Sequence, residues 1–320
     1  MEKEKQVSDK LRVGFIGLGM MGNPMSRRVL GAGFPLTVHD IRPASVEELV
    51  KAGAKNAASP REIAEVSDVV LTSLPTQKAC DEVYFGPNGI LKGARKGQIL
   101  VETSTVSPNA VRHVAEEARK QGVGVVDAPI LSRTAFHADI AKLKAPEVVL
   151  RGQVTLMVGG EAADVEKVRP VIGAYGDPIF HMGPIGSGTM IKVLNAATTH
   201  AYFAVACEVF AVAAKAGIDL KKLEEIFRNT SAKSGAMNNN MPQYLKTGTG
   251  RMMSVAAALK DSEAMLEMAR ELNVPVLMQS VNHTYYQMSL MNGTSKELPW
   301  DSEMMKLFES YIGKPIRFAE

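Results

Sequence analysis

The sequence is short of the residues from which secreted, metal-built or nucleic-acid-binding proteins are made. It holds 2 cysteines in 320 residues, Cys80 and Cys207, too few for a disulfide framework and without a metal-ligand spacing. Both thiols sit in apolar helical patterns and are expected to be buried and reduced. None of the 6 histidines has a partner at metal or triad spacing, so no metal site is expected. Charge of one sign is also missing: 37 Lys plus Arg against 34 Asp plus Glu leave a formal +3, too scattered for a nucleic-acid stripe. The opening MEKEKQVSDK has no apolar core and does not read as a signal peptide. The longest apolar stretch, residues 201–217, is interrupted by Glu208 and Lys215 and makes a poor membrane span. No internal repeat or low-complexity tract is visible. With 46% hydrophobic and 22% charged residues, the composition is that of a globular protein. It is expected to be cytoplasmic, with no nucleic-acid or membrane partner.

What is present is an alternation of short apolar strands and amphipathic helices over the first 183 residues. Strands are predicted at 12–19, 34–40, 67–75, 97–105, 122–130, 155–160 and 177–183. Helices are predicted at 20–32, 45–53, 108–122 and 161–175. That alternation implies parallel β-α-β units in a doubly wound sheet. From residue 184 the strands cease. Residues 187–216 read as one helix of about 30 residues, or roughly 45 Å. It is apolar nearly all round and so must be buried in a bundle or against another subunit. Further helices are expected at 219–229, 254–272, 275–291 and 301–311. The fold class is therefore α/β: a Rossmann-type N-terminal domain (1–183) joined by a long helix to an all-α domain (184–320).

Gly17-Leu18-Gly19-Met20-Met21-Gly22 fits G-x-G-x-x-G between a predicted strand and a predicted helix. Gly17 suits the tight turn, Gly19 the approach of a pyrophosphate, and Gly22 close packing of helix on strand. The helix's first amides would hold the phosphate. Asp40, at the end of the second strand, stands where a carboxylate accepts hydrogen bonds from ribose hydroxyls and repels a 2′-phosphate. It favours NAD; the bland alternative is a cap for the turn before Pro43. Arg42 keeps NADP open.

These residues resemble the β-hydroxyacid dehydrogenases, the family of 3-hydroxyisobutyrate dehydrogenase and tartronate semialdehyde reductase. The similarity begins at GFIGLGMMGNPMSRRVL (14–30) and continues through Leu74-Pro75, ETSTVSP (102–108), DAP (127–129), VTLMVGG (154–160), GPIGSGTMIKVLN (183–195) and LKD (259–261). The family's order is kept throughout. The resemblance implies hydride transfer between NAD(P) and a small anionic 3-hydroxy acid, with Lys192 as the acid/base group. Lysine's ordinary pKa, about 10.4, suits the acid role, and acting as base requires desolvation or nearby positive charge. Leu74, Pro75, Thr105 and Lys260 would lie beside the cofactor, and Gly188 and Asn195 beside the substrate.

Two departures from the family stand out. The asparagine usually carried four positions after the lysine is Ala196, leaving Asn195 as its neighbour. The family's Ser-Gly-Gly loop is replaced by Ser132-Arg133-Thr134, as in the branch that includes sulfolactaldehyde reductase. A guanidinium there suits bidentate grip of a carboxylate or sulfonate. About a dozen residues beyond the family spacing follow; the stretch 138–150 could be a lid or a surface excursion. Asn238, Asn239 and Asn240 suit a polar helix start as well as a pocket lining. Two other readings remain open: a dinucleotide-binding sensor with little catalysis, and an imine-reductase-like enzyme, though that group typically lacks the lysine. The apolar central helix suggests a homodimer or homotetramer.

Overall fold

The computed structural model describes residues 10–132, 143, 145–250, 252–293 and 295–318. The chain divides into two compact units, Met1–Lys192 and Val193–Glu320.

In the first unit, strands β1 (Val13–Ile16), β2 (Leu36–His39), β3 (Lys55–Asn56), β4 (Val69–Thr72), β5 (Ile99–Glu102) and β6 (Gly124–Asp127) form a parallel sheet in the order β3-β2-β1-β4-β5-β6. In the register, Phe15 lies beside both Val38 and Leu71. β1, β4 and β5 are buried at every residue, as expected of strands covered by helices on both faces. Their alternation splits the core in two. Phe15, Leu71, Val101 and Val126 pack on one face; Ile16, Val70, Leu100 and Val125 pack on the other. Helices α1 (Gly22–Gly31), α2 (Pro43–Lys51), α3 (Pro60–Val66), α4 (Gln77–Phe85), α5 (Pro108–Arg119), α6 (Ala145–Leu150) and α7 (Ala162–Ile172) complete the unit.

The sequence reading is refined at the sheet's far end. The single strand expected at 122–130 is two, β6 and β7 (Ile130–Ser132), separated at Ala128-Pro129, where proline offers no amide for a ladder. β8 (Val154–Gly159) runs antiparallel to both and parallel to β9 (Ile179–Gly183), so the sheet is parallel-dominated.

Of the extra 138–150 stretch, read as a lid or a surface excursion, residues 138–142 and 144 lie outside the described residues, and its end packs on the first unit's core. Val148 and Val149 of α6 are fully buried in the cluster that contains Met25 and Val29 of α1, and Arg28 Nη1 donates to the Leu150 carbonyl at 3.5 Å.

Helix α8 (Ser187–Lys215) runs 29 residues, and the break between units falls within it, after Lys192. By length and composition it could cross a membrane, but 56% of its most apolar window is buried inside the protein. In the second unit it packs with α9 (Leu220–Arg228), α10 (Met241–Thr247), α11 (Val255–Glu271), α12 (Leu277–Met291) and α13 (Trp300–Ile312). Their shared core includes Phe203, Cys207, Phe210, Tyr244, Tyr286, Trp300 and Met304. Cys80 and Cys207 are both buried and form no disulfide, as expected. Asn238–Asn240 lie in a π-helical turn, Ala236–Asn240, leading into α10.

Candidate active site

The glycine loop, Asp40, Leu74-Pro75, Ser104-Thr105 and Asp127 stand at the carboxyl ends of the parallel strands β1, β2, β4, β5 and β6, the edge at which open α/β sheets bind ligands. β1 lies between β2 and β4, which follow it in chain order but flank it on opposite sides. The strand order therefore reverses at the glycine loop.

Gly17 adopts φ +89°, and a Cβ there would sit 2.3 Å from the Ser73 carbonyl oxygen. A Cβ on Gly22 would sit 1.9 Å from the Gly17 carbonyl. Both glycines are demanded by the loop's own packing. Gly19 is different: a Cβ would meet only Arg42 Nη2, at 3.7 Å, which leaves its backbone open to an approaching group. No side chain caps α1, whose N-cap is Met21. By contrast Ser59, Thr76 and Ser107 cap α3, α4 and α5. A bare, open loop before an uncapped helix fits a pyrophosphate. Leu18 is buried beneath it and Met20 is 70% exposed.

Asp40 closes the loop from the side. Its carboxylate accepts from the Leu18 amide (2.6 Å), the Arg42 amide (2.8 Å) and Arg42 Nε (3.1 Å). Burial opposes its ionisation, but the Arg42 side chain and the two amides outweigh that and hold the carboxyl below its ordinary value. It is more than a turn cap: it ties the glycine loop to β2. An ionised acid beside the loop fits a ribose diol, and the paired Arg42 is the one cation described against Gly19.

Leu74 and Pro75 follow β4, and the Leu74 amide donates to Ser104 Oγ at 2.7 Å. Ser104 in turn donates its amide to Glu102 Oε1 at 2.6 Å, so Glu102, standing where the family has aspartate, ties the loops after β4 and β5 together. Burial pushes its carboxyl above the usual range, against the pull of Ser104. Thr105 is half-buried on the same loop.

Lys192, on the second turn of α8, donates from Nζ to the Ile130 carbonyl at 2.9 Å. Ser132 is exposed at the end of β7. Arg133 and Thr134 lie outside the described residues. Gly188 has a packing reason to be glycine, since a Cβ would sit 2.2 Å from the Met157 carbonyl. Sequence reasoning took Asp127 only as the start of a motif. It is fully buried and accepts from the Gly186 amide (2.7 Å), the Thr189 amide (2.6 Å) and Thr189 Oγ1 (2.9 Å).

In the second unit, Asn195 is exposed and Ala196 buried on α8. Lys260 pairs with the buried Asp261, Nζ to Oδ1 3.4 Å. Among the described residues no group of three His, Cys, Asp or Glu side chains could hold a metal ion.

Comparison with known proteins agrees over both units. Residues 12–183 match the family described as "NAD binding domain of 6-phosphogluconate dehydrogenase". Residues 186–307 match "NAD-binding of NADP-dependent 3-hydroxyisobutyrate dehydrogenase". A 2-(hydroxymethyl)glutarate dehydrogenase from Eubacterium barkeri is 30% identical over 306 residues, 95% of this chain and 96% of that protein. An NAD-dependent L-serine dehydrogenase from Pseudomonas aeruginosa is 35% identical over 226 residues, 71% and 72% of the two chains. The crystal structure of a 3-hydroxyisobutyrate dehydrogenase from Salmonella typhimurium superposes with a TM-score of 0.78 at 25% identity, covering 93% of this chain and 100% of that one.

Proposed function

The chain belongs to the β-hydroxyacid dehydrogenase family, and from that premise we propose that it interconverts a small anionic 3-hydroxy acid and its semialdehyde, with Lys192 as acid/base and NAD as the preferred cofactor. The observation that carries the reading is the ammonium of Lys192 held on the Ile130 carbonyl, in the same unit as a glycine loop left open at Gly19 and flanked by Asp40.

Gly17–Gly22 and the first amides of α1 would hold the pyrophosphate, and Asp40 the adenosine ribose. When bound, the nicotinamide accepts the hydride from the substrate's hydroxyl-bearing carbon. The hydroxyl proton must leave in the same overall step, and Lys192 receives it as amine; in the reverse direction it returns it as ammonium. The Ile130 carbonyl, an acceptor without a proton of its own, orients Nζ while the site waits. Leu74, Pro75 and Thr105 line the nicotinamide side, fixed by the Glu102–Ser104–Leu74 chain of hydrogen bonds. Ser132, Arg133 and Thr134 would bind the substrate's acid group, with Gly188 beside it; Asn195 and Lys260, which belong to the second unit, are kept as candidate substrate- and cofactor-binding residues. The ion pair of Arg42 with Asp40 holds the guanidinium back from a 2′-phosphate, so NADP is taken as the weaker partner. The reading takes the protein to be cytoplasmic and a homo-oligomer; Tyr202, Val205 and Val212 of α8, apolar yet exposed, support the oligomer.

The test is a screen of 3-hydroxyisobutyrate, L-serine and 2-(hydroxymethyl)glutarate with NAD and NADP, on the native protein and on Lys192→Ala. We expect turnover of at least one acid, lost by about 1,000-fold or more in the variant, with the NAD dissociation constant within about threefold. Micromolar NAD binding without turnover of any short hydroxy acid would instead favour a sensor.

A further inference from the structure

Asp127 is an anion with nowhere to go. It ends β6, fully buried, and its two oxygens meet only donors: the Gly186 amide on Oδ1, and the Thr189 amide and hydroxyl on Oδ2. No ion pair to it is formed among the described residues. The backbone closes around it: a Cβ on Gly159 would lie 2.3 Å from Oδ1, and one on Gly188 would lie 3.0 Å from the Asp127 carbonyl. All three donors belong to the start of α8, so the carboxylate does for this helix what a capping side chain does for others, from a different strand. Burial raises the pKa of this carboxyl, against the opposing pull of the helix-start amides and the Thr189 hydroxyl.

The same stretch of chain grips α8 a second time. Three residues after Asp127, the Ile130 carbonyl accepts from Lys192 Nζ at 2.9 Å. Three residues after Thr189, one helical turn on, stands Lys192 itself. The 127–130 segment and the first turns of α8 thus form a closed figure with two fastenings, carboxylate to helix start and ammonium to carbonyl. If the first fastening is loosened, the helix start is free to shift against β6, and Nζ moves with it.

We infer that Asp127 is the positioning residue for Lys192, fixing where the ε-amine stands through the start of α8 and without touching substrate itself. The inference rests on the acid/base reading of Lys192. Asp127→Asn replaces one acceptor oxygen with an amide that faces an N–H, breaking at least one of the three bonds at nearly constant shape. Thr189→Val removes only the hydroxyl bond and leaves both backbone bonds in place.

The experiment is a double-mutant cycle on the whole protein with NAD and whichever of the three acids above is turned over. Asp127→Asn should lower kcat about 100-fold, the scale for a small misplacement of a catalytic group. KM for the acid and the NAD dissociation constant should stay within about threefold. Thr189→Val should lose several-fold in kcat, and Thr189→Ser should recover most of that loss. In a Lys192→Ala background Asp127→Asn should have no further effect on the residual rate, because a residue acting through another is silent once that other is gone. An equal loss in that background, a loss confined to KM, or an Asp127→Asn enzyme with unaltered kcat overturns the assignment. Undiminished turnover in Lys192→Ala overturns the reading beneath it, a distinguishable result. If Asp127→Asn does not fold, the Thr189→Val and Thr189→Ser pair decides: equal kcat in the two overturns the assignment.

Discussion

The two units differ in how they treat buried polar groups. In the first, buried polar side chains are mostly spoken for: Asp127 by three donors, Gln98 by the Ala64 and Ser67 carbonyls, Thr72 by Tyr84. In the second, among the described residues, Trp300 Nε1 is buried without a hydrogen-bond partner, and the buried Asn282 and Tyr286 side chains have only each other. Strand ends expose backbone amides and carbonyls that can be turned toward a side chain; the flank of a helix has spent its backbone groups internally. A Rossmann unit therefore offers many ways to fasten a polar group at one edge. A helical bundle must find its partners among side chains alone.

The largest effects that test this contrast lie in the glycine loop. Gly22→Ala forces a Cβ to within 1.9 Å of a carbonyl oxygen, and we expect a loss of about 3 kcal/mol or more in unfolding free energy. Gly19→Ala meets nothing of the protein closer than 3.7 Å. Its melting temperature should be unchanged while NAD binding weakens tenfold or more. Equal behaviour of the two in calorimetry and NAD titration would show that Gly19 serves the fold and not a ligand.

The same difference explains what could be read in advance. The β-branched runs ending in Asp40, Glu102 and Asp127 announced buried strands and the edge where they finish, and Gly17–Gly22 announced the loop. The long helix was legible because apolar residues run on nearly all its faces, even where Tyr202, Val205 and Val212 are exposed. The short helices α3 and α4 were passed over, although Ser59 three residues before Glu62 spelled a helix start. The direction of β8 and the break at Pro129 were beyond reach, since a strand's pattern carries its faces and not its sense. The roles of Asp127 and Glu102 depend on partners distant in the chain: Thr189 lies 62 residues beyond Asp127. Nothing in the spacing of the sequence marks such pairs.

A middle-sized effect concerns Asp40. Asp40→Asn keeps the shape but removes the charge that faces Arg42 and the Leu18 amide. NAD affinity should fall by roughly tenfold, about 1.4 kcal/mol, and the ratio of NAD to NADP affinity should fall with it because Arg42 is released. Isothermal titration with both dinucleotides reads this directly; a rise in the ratio would place the ribose elsewhere.

Smaller still is the comparison of one buried polar group from each unit. Tyr84→Phe deletes a hydroxyl that lies 2.8 Å from Thr72 Oγ1 and should cost about 1 kcal/mol. Asn282→Leu replaces an amide whose neighbour is the Tyr286 hydroxyl by an apolar group of like size, and should stay within about 1 kcal/mol of the parent on either side. Denaturant unfolding of both variants orders them. A markedly larger cost at Asn282 would mean that the helical unit fastens its polar groups as firmly as the sheet does.

The smallest effect is one of sign. Asp40 and Asp68 are held below their ordinary values, Asp40 mainly by Arg42 against its burial and Asp68 mainly by Arg12. Each contributes stability that is present above the unfolded carboxyl's pKa and is lost as pH falls through the folded one. Glu102 is the opposite case. Burial raises its folded value, so the native state binds its proton more readily than the unfolded chain does, and stability from this group rises as pH falls through that raised value. Glu102→Gln keeps an acceptor for the Ser104 amide and cannot ionise. Its melting temperature should therefore exceed the parent's at pH 8 and approach it as the pH is lowered toward 5. Below about pH 4 both proteins should lose stability together, as Asp40 and Asp68 take up protons in each. A gap that widens on acidification would mean that the buried Glu102 carboxylate is stabilised as an anion, and that the tie between the loops after β4 and β5 is an ionic one.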